Sequence, residues 1–294
     1  MSLPKGRASG SGGLIVSVTE SGENQARDRV KGIFLLFERS TRPSAEAVRQ
    51  FVDGNPITSL ILDPASRANL HVVQSDDTPS TIAAARAEAL ARHGDWVELL
   101  RDGLSFDLDG ISPGEGRPFP DPENSFDYKD SVSRSQLEAV RLVPGLHLAG
   151  GEGSLPVLRG MLSLARDLVQ HFEQVKAVIW PPSSSVIGRR FFESTTTAWL
   201  EGGAFPALGL TAFRETVDGG LQSVGLNFLI GQELWIEPSL AGDKVAATRL
   251  GVRLINQLVL TGPVEHAEQV IGPDGSRLRI EPYSNGKFIR LRSN

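Results

Sequence analysis

The chain has 294 residues, no cysteine, and a net charge of −5 from 30 Lys+Arg against 35 Asp+Glu. Without cysteine, disulfides, thiol nucleophiles, thiolate zinc sites and iron–sulfur ligation are excluded. The acidic balance argues against nucleic acid as a partner, since phosphate binding needs a basic face, and leaves room only for a local basic patch. No apolar run approaches the ~18 residues of a membrane span, so no membrane partner is expected. These features read as a soluble, cytoplasmic protein, long enough for about two domains.

The first thirteen residues, MSLPKGRASGSGG, lack an apolar run and read as a flexible leader. Leu14–Val18 and Ile33–Phe37 have strand length. Ser44 caps a helix ending at Gly54, with Ala45, Val48 and Phe51 at helical spacing. Ile57–Leu62 and Leu70–Val73 read as strands. Thr78-Pro79 opens an alanine-rich helix that the spacing carries to about Leu100, and Leu104–Leu108 is again strand-like.

Residues 111–130 change character, with Pro113, Pro118, Pro120 and Pro122 among acids and glycines. Proline lacks a ladder donor and buried acids would need partners, so a mobile surface loop or linker is expected here. It would separate an N-terminal lobe, 14–110, from a C-terminal lobe, 131–294.

Ser133–Gln136 has capping-box spacing and predicts a short helix to about Arg141. Ser154 starts a helix with a broad apolar stripe through Phe172. Ala177–Trp180 reads as a buried strand and Phe191–Leu200 as a helix. Leu208–Val217 and Leu221–Ile230 flank Asp218-Gly219-Gly220 as a hairpin, and Glu233–Glu237 is a further strand. Val245–Leu260 is apolar nearly all round and predicts a deeply buried helix. The end reads as a hairpin turning at Asn285-Gly286, which sets Glu281 opposite Arg290 and Ile280 opposite Leu291. Mixed element order with hairpins predicts an α+β fold, with antiparallel-rich sheets and packed helices in two lobes.

Two patterns offer chemistry. Phe106-Asp107-Leu108-Asp109-Gly110, at the end of an apolar run, resembles the first motif of haloacid-dehalogenase-like phosphatases. The resemblance implies Asp107 as nucleophile and Asp109 as general acid beside magnesium. The chain departs from that family in Ile111-Ser112 after the glycine, and in lacking a downstream acidic pair. Ser183, Ser184 and Ser185 with Arg189 and Arg190 combine hydroxyl donors, a helix start and two cations, which makes a candidate anion site. Gly110-Ile111-Ser112-Pro113-Gly114 matches a serine-hydrolase pattern, but Pro113 cannot donate the oxyanion hydrogen bond. Gly145–Gly153 lacks the spacing of a nucleotide loop, and the five histidines have no i, i+4 pair. No metal site or cofactor is expected.

Ala177-Val178-Ile179-Trp180 with Phe191-Phe192-Glu193 resembles part of a bacterial family known only as a domain of unknown function. So do Leu221-Gln222-Ser223-Val224-Gly225-Leu226, then Gly231-Gln232-Glu233-Leu234-Trp235-Ile236-Glu237, and the late Asp274-Gly275 turn. The resemblance spans about 154–282. It implies a bacterial cytoplasmic α+β protein with no assigned catalytic residues and a binding or immunity-type role. Pro181-Pro182 and the 111–130 insert depart from it. The residues therefore favour a non-catalytic protein that binds a protein or peptide over an enzyme. The alternative is a hydrolase acting on a phosphorylated or anionic small molecule.

Overall fold

The computed structural model describes residues 32–62, 95–129 and 132–294. The expected leader, the strands at Leu14–Val18 and Leu70–Val73, and the helix start at Thr78-Pro79 lie outside the described residues. The fold is α+β, with two mostly antiparallel sheets and helices packed on them.

The first sheet comprises β1 (Ile33–Glu38), β2 (Thr58–Leu62), β3 (Trp96–Arg101), β4 (Leu104–Asp109), β5 (Asn124–Phe126), β6 (Leu137–Pro144), β7 (Val175–Trp180) and β8 (Ser185–Gly188). Their order is β2-β3-β4-β6-β1-β7-β8-β5, antiparallel throughout except for the parallel β5–β8 pair. In β1, Ile33, Leu35 and Phe37 face one side, where α1 (Ala45–Asp53), α2 (Leu155–His171) and α3 (Arg189–Leu200) cover the sheet. Phe34 and Leu36 face the other side with Ala139, Ala177, Ile179 and Val186. As the spacing predicts, Ser44 caps α1 and accepts a hydrogen bond from the Ala47 amide at 3.2 Å. Gly160 lets α2 lie against the sheet, because a Cβ there would stand 3.1 Å from the Phe106 ring.

The second sheet comprises β9 (Ala212–Glu215), β10 (Leu221–Val224), β11 (Glu233–Ile236), β12 (Glu268–Ile271), β13 (Arg277–Tyr283) and β14 (Phe288–Ser293), in the order β12-β13-β14-β11-β10-β9. The helix α4 (Leu226–Ile230) links β10 to β11, and α5 (Lys244–Thr261) covers one face. An apolar core runs without a break from the first sheet to the second. Trp180 sits at the join, edge-on to Phe228 and donating its indole N–H to the Leu210 carbonyl at 2.9 Å.

Several expectations are corrected. Residues 96–101 form β3 instead of ending a helix, because Val97, Leu99 and Arg101 point alternately into the helix side of the sheet. Ser133–Gln136 makes only a single tight turn, and the residues expected to be helical are β6, whose Val140 and Leu142 pair with β1. The strand expected to reach Ile230 stops at Val224. Gly225, at φ +96°, turns the chain into α4, and buried Glu233 accepts amide hydrogen bonds from Gly225, Leu226 and Asn227. Burial pushes the Glu233 carboxyl upward against those donors and the Ser223 hydroxyl. Helix α5 is not buried all round, since Val245 and Leu260 are 60% and 73% exposed. Strands β4 and β1, from before residues 111–130, pair with β6 from after them, so the first sheet is shared between the segments 14–110 and 131–294.

The terminal hairpin has the expected register, Ile280 opposite Leu291 and Glu281 opposite Arg290. Its loop is Ser284–Lys287, with Ser284, Asn285 and Gly286 all at positive φ. A Cβ on Gly286 would meet nothing within 4 Å, so conformation alone decides a substitution. Gly286→Val should cost about 1 kcal/mol in urea melts, through its resistance to φ +77°. An unchanged midpoint would contradict this.

Beneath the helices, Arg101 is fully buried and donates to Thr58 and Ser163 at 2.7 Å and to Asp167 at 2.6 Å. Burial pushes the Asp167 carboxyl up, but hydrogen bonds from Arg101 and Asn55 outweigh it and hold the carboxyl below its usual range. A carboxyl depressed in the folded state stabilises fully above its unfolded value, near ~4. That stability is lost as pH falls through the lower folded value. Asp167→Ala should therefore cost about 3 kcal/mol at pH 7, by leaving the guanidinium buried without its counter-ion. It should also flatten the stability loss below pH ~4. Equal melts of wild type and variant at pH 7 would refute this account.

Candidate functional site

Asp107 and Asp109 share one face of β4, as an i, i+2 pair in a strand must. Asp109 is buried, and its carboxylate meets Arg141 at 2.6 Å and Arg117 at 3.2 Å. Arg117 also reaches Asp95 at 3.3 Å. The carboxylate expected to act as general acid is thus held between two guanidiniums. Asp107 is half-buried within the strand, directly opposite Glu98. Among the described residues, no cluster of three or more His, Asp or Glu is placed to hold a metal ion.

The second candidate group is also dispersed. The Ser183 and Ser185 hydroxyls are fully buried; they bond to each other at 2.7 Å, and Ser183 donates to the Gly209 carbonyl at 2.9 Å. Ser184 takes the left-handed conformation at φ +48° that turns the chain into β8. Arg189 is drawn to Glu193 and to the Phe172 and Glu173 carbonyls, and Arg190 is exposed. These residues close a tight corner and do not converge on a common point.

A concave site lies elsewhere, on the face of the first sheet that carries no helix among the described residues. Residues 111–129 run across that face as a strap. Arg42 holds its start, donating to the Gly110 and Gly114 carbonyls and pairing with Glu138 at 2.8 Å. The hydrogen bond from Arg42 holds the Glu138 carboxyl below its ordinary range. The Arg117 amide then bonds the Ala139 carbonyl, and Arg134 stacks over the Phe119 ring at 4.2 Å while pairing with Asp121 at 2.6 Å. Asn124 donates its side-chain amide to the Ser183 carbonyl at 2.9 Å, β5 pairs with β8, and Phe126 stacks on Phe191. Phe119 and Tyr128 pack on the sheet and Phe126 on α3, so the aromatics of this segment pin it back onto the protein.

Between strap and sheet is a cleft of about 570 Å³. Leu36, Ile179 and Val186 form its floor, Phe119, Tyr128 and Leu137 its walls, and Asp121, Glu123 and Arg134 its charged rim. Sequence reasoning named none of the floor residues as a site. The available signal was the unbroken apolar run Ile33–Phe37, which requires cover on both faces.

No family model, curated protein or solved structure matches this chain. The cleft therefore has to be read from its own chemistry. No helix among the described residues is long and apolar enough to cross a membrane.

Gly188 sets how closely the strap approaches, because a Cβ there would overlap the Asp127 carbonyl. Its φ of −60° suits any residue, so the overlap alone makes a substitution costly. Gly188→Ala should destabilise by about 1–3 kcal/mol. It should also make 120–129 more readily cut in limited proteolysis than in wild type. A variant as protease-resistant as wild type would show that the strap is not held there.

Proposed function

We propose that this chain is a non-catalytic binding protein whose cleft beneath the strap takes an extended peptide segment of a protein partner. The observation that carries the reading is the apolar floor of Leu36, Ile179 and Val186 under a rim bearing Asp121 and Glu123. Such a floor suits an apolar side chain; Arg134 on the rim is taken by Asp121, so Glu123 leaves the rim net negative and selects basic neighbours. Strand β5 ends its sheet, so its second side is not taken by another strand of that sheet. An extended peptide could add there through main-chain hydrogen bonds while its side chains enter the cleft. The hydrolase reading has less support, since Asp109 faces two guanidiniums and the Ser183 and Ser185 hydroxyls bond inward. A bacterial cytoplasmic setting and an immunity-type role accord with this reading, as does the resemblance across 154–282.

Panning a displayed random-peptide library against the immobilised full chain tests the proposal. Enriched peptides should carry a large apolar residue flanked by Lys or Arg. Glu123→Arg, which reverses the rim charge, and Ser125→Trp, which fills the mouth, should each weaken them ~10-fold or more. Failure to enrich any peptide, or enriched peptides that bind both variants as tightly as wild type, would sink the proposal.

A further inference from the structure

Among the described residues, the second sheet has one face under α5 and one face with no helix on it. Strand register assigns the side chains of that open face. Across one row stand Glu281, Arg290, Trp235, Gln222 and Arg214, each directly opposite the next. In the neighbouring row Arg279 lies opposite Arg292. Arg277 follows two residues before Arg279 on the same face and is exposed. Trp235 and Tyr283 stack with ring centroids 5.4 Å apart, and Arg290 lies over both rings at 5.7 and 5.5 Å. Tyr283 is 46% exposed.

The charge on this face opposes that of the whole chain. Arg214, Arg277, Arg279, Arg290 and Arg292 stand there against Glu281 and Glu237, while the chain as a whole carries −5. One carboxylate, Glu281, is shared by Arg279 at 2.9 Å, Arg292 at 3.1 Å and Arg290 at 3.9 Å. Arg290 is held more closely by Glu237, at 2.6 Å, so these three guanidiniums meet two carboxylates and one positive charge is left over. Like charges directly opposite across a sheet, as Arg279 and Arg292 are, cost stability. Asp218, at the β9–β10 turn, borders the aromatic end of the face beside Gln222 and Trp235.

We infer that this open face binds single-stranded nucleic acid. A flat sheet surface carrying a stacked aromatic pair offers a platform for bases, each of which has a π face whatever its sequence. Flanking guanidiniums meet phosphate oxygens and can also stack. An acidic peptide would use the cations but would leave the aromatic pair without a matching group. The general argument from net charge against nucleic acid does not reach a patch of opposite sign.

The test is fluorescence anisotropy of a labelled oligothymidylate of about twelve nucleotides, titrated with the full chain at low and at raised salt. Binding should weaken steeply with salt and quench tryptophan emission, and the quench should be lost in Trp235→Phe. Arg214→Glu, at an exposed position outside the Glu281 cluster, should weaken binding ~10-fold at low salt. Trp235→Ala should weaken it ~5-fold or more. Matching melting temperatures distinguish these losses from unfolding, and Arg279→Gln serves as a second charge variant. The inference is overturned if the oligonucleotide does not bind at low salt, or binds both Arg214→Glu and Trp235→Ala as tightly as wild type. It is equally overturned if oligoglutamate binds as tightly with the same tryptophan quench, which would assign the face to acidic protein segments.

Discussion

The architecture depends on a strand that has no polar side. Ile33, Phe34, Leu35, Leu36 and Phe37 are consecutive and all at most 2% exposed, which only a strand buried on both faces allows. One face is met by helices, whose apolar stripes supply the usual cover for a sheet. The other needs something else, and the proline-rich strap supplies it with Phe119 and Tyr128. A segment that cannot form a regular ladder can still deliver aromatic rings to an apolar surface. The cleft lies where the strap crosses this face, with Leu36, Ile179 and Val186 beneath it.

Much of this was legible in the residues where local rules and tertiary packing agree. Ser44 as a cap, the stripe from Leu155 to Phe172 and the register Glu281–Arg290 all rest on contacts between near neighbours in sequence. The failures share a different cause. Trp96–Arg101 follows an alanine-rich run with helical spacing, and only pairing with β2 and β4 makes it a strand. Leu137–Pro144 follows a valid capping pattern, but its partner is β1, about a hundred residues earlier. The candidate site was less legible still. Its floor residues sit on β1, β7 and β8, and nothing local in Leu36 or Ile179 distinguishes a cleft floor from ordinary core.

Charge is used in three ways across the molecule. Arg101 and Asp167 stitch a helix to the sheet from within, where losing either partner strands the other. Arg42 and Arg117 tie the start of the strap to the sheet, and Arg117 together with Arg141 occupies the carboxylate of Asp109. On the second sheet, by contrast, guanidiniums outnumber the carboxylates that hold them. The Asp-x-Asp pattern was thus informative about structure more than chemistry: two acids at i and i+2 put Asp109 where the strap needed an anchor.

The pairing of β1 with β6 and β7 also bears on how the protein is made. Ile33–Phe37 leaves the ribosome about a hundred residues before Leu137–Pro144. At ~5–20 residues per second, that leaves the most apolar strand of the chain without either neighbour for ~5–20 s. A short segment of high β-propensity without proline or charge is a template for self-association while it waits. Lys31 precedes it and Glu38-Arg39 follows it, charges placed where gatekeepers belong. Synthesis of this protein therefore has an interval, set by its topology, in which residues 33–37 stand without the strands that cover them.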